Sequence, residues 1–131
     1  MIPILPRFKR DYHYPGIAMN GSPYREVWIE APDGQSMCAL INDQWGWLMY
    51  LREEGDAGFS SRNPVYAGAP EATIGYRLDN GQLDQYLASW AYPIAVIENA
   101  LRFFEENHAP PPFIRWHNDS GDGVVLDHND D

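Results

Sequence analysis

One stretch of the chain carries a sustained helical period, and three consecutive prolines follow it: YPIAVIENALRFFEENHAPPPFIRW, Tyr92 to Trp116. Ile94, Ile97, Leu101 and Phe104 recur at about 3.6 residues, which gives a helix with one apolar face. Pro93 stands where a first helical residue tolerates a missing N–H. Glu98 and Arg102 lie four apart on a separate stripe and favour a wet outer surface. Pro110, Pro111 and Pro112 lack the N–H groups that a continuing helix needs, so they end it and stiffen the exit as an extended spacer. Phe113 to Trp116 then reads as a short strand. With one late helix available, the rest of the core must come from sheet.

The preceding sequence supplies it. Tyr24 to Ala31 alternates as a strand, Pro32-Asp33-Gly34 is a turn in which proline presets φ and glycine accepts positive φ, and Ser36 to Ile41 returns. Asn42-Asp43-Gln44 breaks the run before Trp45 to Leu51, the segment richest in strand-forming residues. Glu54 to Pro70 reads as a long loop of glycine, serine and proline, of the kind that carries function more often than not. Glu71 to Leu78 and Gln82 to Leu87 flank Asn80-Gly81, the dipeptide of a tight hairpin. The order predicts an α+β domain: an antiparallel sheet of about five to six strands with one main C-terminal helix packed on one face. The second face is expected to be wet, covered by an N-terminal arm, or covered by a partner. Residues 1–23, broken by prolines and glycines, form that irregular arm; 24–117 form the single domain; 118–131 form an acidic, flexible tail.

Composition narrows the function. The 131 residues fit one domain that needs no disulfide or metal to fold. The lone cysteine, Cys38, lies in an apolar run and reads as a buried small hydrophobe in a reducing compartment. No run reaches bilayer length, so a soluble cytoplasmic protein is expected. Nineteen acids face nine bases, for a net charge of −10, which argues against nucleic-acid binding through a basic face. Such a field repels phosphate backbones and attracts basic protein surfaces, although solubility alone also explains it.

Catalytic patterns are weak. His13, His108, His117 and His128 are scattered, and no metal or cofactor is expected. Asn118 to Gly123 imitates the start of a calcium loop, but the twelfth position is Asn129 where a bidentate glutamate is needed. Neither Gly21-Ser22-Pro23 nor Phe59-Ser60-Ser61 frames a nucleophile, and no glycine-rich loop opens the helix. The tryptophans Trp28, Trp45, Trp47, Trp90 and Trp116 read mostly as core, with a minority left to anchor a partner.

From about Ser36 to Trp116 the chain resembles the first-numbered family of immunity proteins from bacterial polymorphic toxin systems, a family often encoded beside deaminase toxins. Gly46-Trp47-Leu48-Met49-Tyr50 resembles its central glycine-aromatic strand. Ile74-Gly75-Tyr76, Asn80-Gly81 and Tyr86 resemble its second hairpin, and Pro93 through Phe104 its proline-started helix, with Ala100 and Phe103 or Phe104 as the paired residues. Pro111, five residues before Trp116, matches the family's ending, while Pro110 stands where the family usually has arginine. The resemblance implies a cytoplasmic protein without catalysis of its own that occludes a cognate toxin domain, as a 1:1 heterodimer with no membrane or direct nucleic-acid contact.

Candidate contact residues are Glu53, Glu54 and Asp56 after the central strand, with Glu71 beyond the loop, because clustered loop charges can enter a basic cleft; an ordinary solvated rim is the plainer alternative. A different class of function also fits: a small ligand-binding or enzymatic domain whose aromatic-lined pocket raises the pKa of a carboxylate such as Asp43 or Glu53. A structural adaptor is a third.

Overall fold

A computed structural model describes residues 22–126. The elements run β1 (Tyr24–Glu30), β2 (Ser36–Asn42), β3 (Trp45–Leu51), β4 (Phe59–Arg62), β5 (Thr73–Arg77), β6 (Leu83–Leu87), a 3₁₀ turn (Ala88–Trp90), β7 (Tyr92–Pro93), α1 (Ile94–Asn107) and β8 (Arg115–Asn118). The fold is α+β with a six-stranded antiparallel sheet, in the order β1-β2-β3-β4-β8, and β7 also paired to β3. None of the described helices is long and apolar enough to cross a membrane.

The first three strands form a meander whose register follows the turns. Gly34, at φ 102, and an Ala31 N–H bond to the Gln35 carbonyl close the first turn. Asp43, at φ 58, closes the second in a left-handed conformation that aspartate tolerates. Pairing then aligns Val27, Ala39 and Leu48 on one face and Trp28, Cys38 and Met49 on the other. The first face meets α1 through Ile97, Ala100, Leu101 and Phe104, all fully buried. Gly46 permits the close approach, since a Cβ there would fall 2.8 Å from Cγ1 of Ile97.

The second hairpin departs from the expected single sheet. Strands β5 and β6 pair only with each other and lie across the opposite face, covering Cys38, Leu40 and Trp47 with Ile74, Tyr76, Leu78 and Tyr86. Neither solvent nor a partner is needed over that part of the sheet. Trp47 stacks on Tyr86 with ring centroids 4.6 Å apart, and Tyr86 stacks on Trp90 at 6.0 Å. Burial raises the Tyr76 hydroxyl well above its ordinary range and pushes Tyr86 up to about 12, with Asp84 adding to the latter. Cys38 is 2 % exposed, and burial raises its thiol as well.

The long loop read from Glu54 to Pro70 contains β4. Phe59 anchors that strand in the core, and its serines, which resemble loop residues in sequence, spend their hydroxyls internally. Beyond the Met49–Ser60 pair β4 leaves β3, and β7 takes over the same edge at Trp45 and Gly46. Ser61 holds this fork together: its Oγ accepts the Leu48 N–H (3.1 Å) and donates to the Trp90 carbonyl (2.8 Å).

Three boundaries also differ from the sequence reading. Pro93 is extended and caps α1 from outside, so the helix begins at Ile94. At the other end His108 turns left-handed, at φ 52, and its N–H closes on the Phe104 carbonyl, so the helix stops before the prolines. The prolines instead shape the approach to the last strand: Pro111 is buried, and its carbonyl accepts the Trp116 indole N–H at 3.2 Å. That strand is Arg115–Asn118 rather than Phe113–Trp116, because Ile114 bonds back to Pro111 in a turn.

Asn118, where the tail was expected to begin, is the last residue of β8. Asn118 closes a loop by donating to Asp122 and to the Val124 carbonyl, and Asp122 pairs with Arg52 at 2.9 Å. Nearly all of the expected arm, residues 1–21, and the tail from 127 lie outside the described residues.

Candidate functional site

The four acidic candidates do not form one edge. Glu53 and Glu54 are exposed in the turn after β3. Asp56 is not a free surface charge: its side chain is 6 % exposed and takes the backbone N–H, Nε and a terminal nitrogen of Arg52 at 2.8 to 2.9 Å. The guanidinium holds the Asp56 carboxyl well below the usual carboxylate range. Asp122 is held low too, first by the Val124 N–H and Asn118 and then by Arg52. Arg52 thus sits as a partly exposed cation bridging the β3–β4 turn and the loop that imitates a calcium site, and it also lies 4.9 Å from the Phe59 ring centroid. Glu71 is exposed near the opposite end of β3: it precedes Ala72, whose carbonyl binds the Ala88 N–H, and Ser89 in turn binds Asn63.

That opposite end carries a concave apolar surface. A groove of about 640 Å³ opens beside the fork, walled by Trp45, Tyr92, Pro93 and Val96, by Phe113, and by the loop from Asn63 to Gly68. Six large apolar residues are exposed among the described residues, and three of them, Trp45 at 42 %, Val65 at 81 % and Phe113 at 49 %, line this groove. Exposed apolar surface gathered in one concavity marks a binding site more readily than the same residues scattered.

The groove is also held in shape. Asn63 donates through Nδ2 to the Ala91 carbonyl, accepts the Val65 N–H on Oδ1, and binds Ser89 through its own N–H. Tyr66 folds over Gly68 and donates to the Ala69 carbonyl, where a Cβ on Gly68 would meet its hydroxyl. Tyr92 donates to the Arg62 carbonyl at 2.6 Å and accepts the Arg115 N–H at 3.0 Å. The side-chain amide of Asn63 and the hydroxyls of Tyr66 and Tyr92 are therefore committed to the protein's own backbone. A partner gains buried apolar area from such a surface with little ordering of the loop.

Two other constellations fail on geometry. Ser60, Asp119 and His117 gather at the β4–β8 pair, but the Ser60 hydroxyl donates to Asp119 (2.7 Å) and accepts from Arg62 (3.0 Å), with only 3 % of the residue exposed. A nucleophile needs its base on its own hydroxyl, and His117 instead lies 3.6 Å from Asp119. Asp43 and Glu53, the carboxylates suggested for a pocket, are exposed in turns and absent from the groove walls. Among the described residues no group of three or more histidines, cysteines and carboxylates could hold a metal.

Sequence reasoning singled out the long loop and left some tryptophans as partner anchors, yet it did not join Trp45 to Val65 and Phe113. Their separation along the chain is closed only by the fork at β7. Compared with family models, curated proteins and solved structures, the chain finds no match.

Proposed function

We propose that this protein is an immunity-type binding protein, one that neutralises a cognate bacterial toxin domain by covering its working surface. The groove carries the proposal: an ordered apolar concavity, rimmed by exposed aromatics, whose tyrosine hydroxyls and asparagine amide are already bonded within the protein. Protein interfaces have this composition, with aromatic residues central and charge at the rim.

Charge supports the same conclusion. Residues outside 22–126 hold three bases and four acids, so the described part carries −9 of the net −10. Two of its arginines are engaged within the protein: Arg52 is paired with Asp56 and Asp122, and Arg62 packs 3.9 Å from the Trp90 ring centroid. A toxin acting on nucleic acid needs a cationic channel, and an anionic body meets it with complementary potential. The resemblance across Ser36 to Trp116 points to a deaminase toxin as the partner. The alternative of a small-ligand site draws on the aromatic walls, but its proposed carboxylates stand elsewhere.

The test is co-expression with the toxin domain encoded in the adjacent reading frame. Growth should be restored by the intact chain and lost when the toxin is expressed alone. Failure to rescue, with both proteins present and folded, would refute the proposal.

A further inference from the structure

Strands β5 and β6 are joined to the molecule differently from the other strands. Among the described residues they pair only with each other, so no backbone ladder ties them to the six-stranded sheet. Ala88 donates to the Ala72 carbonyl at 2.8 Å and closes the base of the hairpin, so both strands can move together. Toward the sheet run side-chain bonds of 2.7 to 2.8 Å: Asn42 donates through Nδ2 to the Gly75 carbonyl, and Glu26 accepts the Asp79 N–H on one carboxylate oxygen and the Trp28 indole N–H on the other. The packing beneath leaves two polar atoms unpaid. Trp47 Nε1 and the Tyr76 hydroxyl are the buried side-chain polar atoms that lack a hydrogen-bond partner among the described residues, and both belong to the cluster between hairpin and sheet. A buried polar group without a partner forfeits its hydration, so a movement that wets both atoms recovers part of the apolar contact it gives up.

We propose that the β5–β6 hairpin is a flap: it opens as a unit from a sheet-and-helix body that stays folded, uncovering Cys38, Leu40 and Trp47. The body keeps its own core on the helix face, where Ile97, Leu101 and Phe104 pack on Val27, Ala39 and Leu48. Cys38 remains in its strand, held between Trp28 and Met49 of the neighbouring strands. A two-stranded hairpin is marginal in water by itself, so β5 and β6 lose their own pairing once they leave the sheet. Opening therefore costs the contacts of one hydrophobic cluster, whereas global unfolding costs those of both. The inference concerns the free chain and does not depend on the partner proposed above.

The chain carries its own reporter, since Cys38 is its single cysteine and is only 2 % exposed beneath the flap. The experiment follows the labelling of Cys38 in the whole chain by a neutral dipyridyl disulfide, which releases a coloured thiopyridone, with no denaturant present. The free energy of opening read from the labelling rate should lie well below that of global unfolding from a denaturant titration. Tyr76→Phe, which removes the unpartnered hydroxyl, should slow labelling about tenfold, and Asn42→Ala, which removes the bond to Gly75, should speed it about fivefold. Ile97→Val thins the helix face, so it should lower the denaturation midpoint and leave the labelling rate unchanged. Hydrogen exchange adds an independent readout: the amides of β5 and β6 should exchange with the free energy that Cys38 reports, while those of β2 stay protected longer. Labelling that occurs only through global unfolding, a rate that rises in Ile97→Val, a rate unchanged in Tyr76→Phe, or joint exchange of the hairpin and β2 would each overturn the proposal.

Discussion

At the scale of single residues, small side chains decide whether the sheet can fork and whether the helix can lie against it. Ser61 is completely buried and joins two strands that do not otherwise pair there. Ser61→Ala should leave the Leu48 N–H and the Trp90 carbonyl without that partner and lower stability by about 1–3 kcal/mol in a denaturant titration. Stability equal to the parent would mean that the hydroxyl is dispensable. Gly46 has a different role: Gly46→Ala places a methyl 2.8 Å from Cγ1 of Ile97 and 3.3 Å from the Leu40 carbonyl oxygen. Overpacking of this kind costs about 1–3 kcal/mol, visible as a lower unfolding midpoint. Phe104→Ala removes a fully buried ring from the same interface and should cost about 3–5 kcal/mol.

At the scale of elements, the Arg52 clamp ties the β3–β4 turn to the loop after β8, and its carboxylates make it pH-dependent. Asp56 and Asp122 are both held below the ordinary value of 3.8, so near that pH the unfolded chain binds more protons than the folded protein. The contribution is complete above the ordinary value and is lost as pH falls through it toward the lower folded values. Denaturation midpoints of the parent should therefore drop steeply between about pH 5 and pH 2, and Asp56→Asn should flatten that slope. Identical slopes would show that the clamp is not coupled to folding.

The elements also show what the sequence could disclose. The meander was legible because Pro32-Asp33-Gly34 and the alternation of Trp45 to Leu51 are local signals. The helix was legible because its buried residues, Ile97, Leu101 and Phe104, keep one period. Strand β4 was not, since Ser60 and Ser61 resemble loop residues until their bonds to Asp119, Leu48 and Trp90 are formed, and those partners are remote in sequence. The two faces of β3 are both apolar, so its alternation could not assign one to the helix and the other to the hairpin. The groove depends on the same long-range closure; none of the acidic candidates lines its walls, and Asp56 is taken by Arg52.

At the scale of the molecule, the sheet is covered on both faces, and the groove gathers three of the six large apolar residues exposed among the described residues. Glu53 and Glu54 stand away from it, at the far end of β3, where they can contribute to steering without entering the contact. Glu53→Lys together with Glu54→Lys should slow association with a cationic toxin domain by about tenfold at low salt and leave dissociation nearly unchanged. A changed dissociation rate would instead put both residues inside the interface.

The most direct measurement titrates the purified chain into the partner proposed above, a toxin domain from an adjacent reading frame, while toxin activity is followed at low and high salt. Inhibition should be complete at one inhibitor per toxin, weaken with salt, and weaken further in Val65→Asp. Undiminished toxin activity at a large excess of the folded chain would contradict the proposed function.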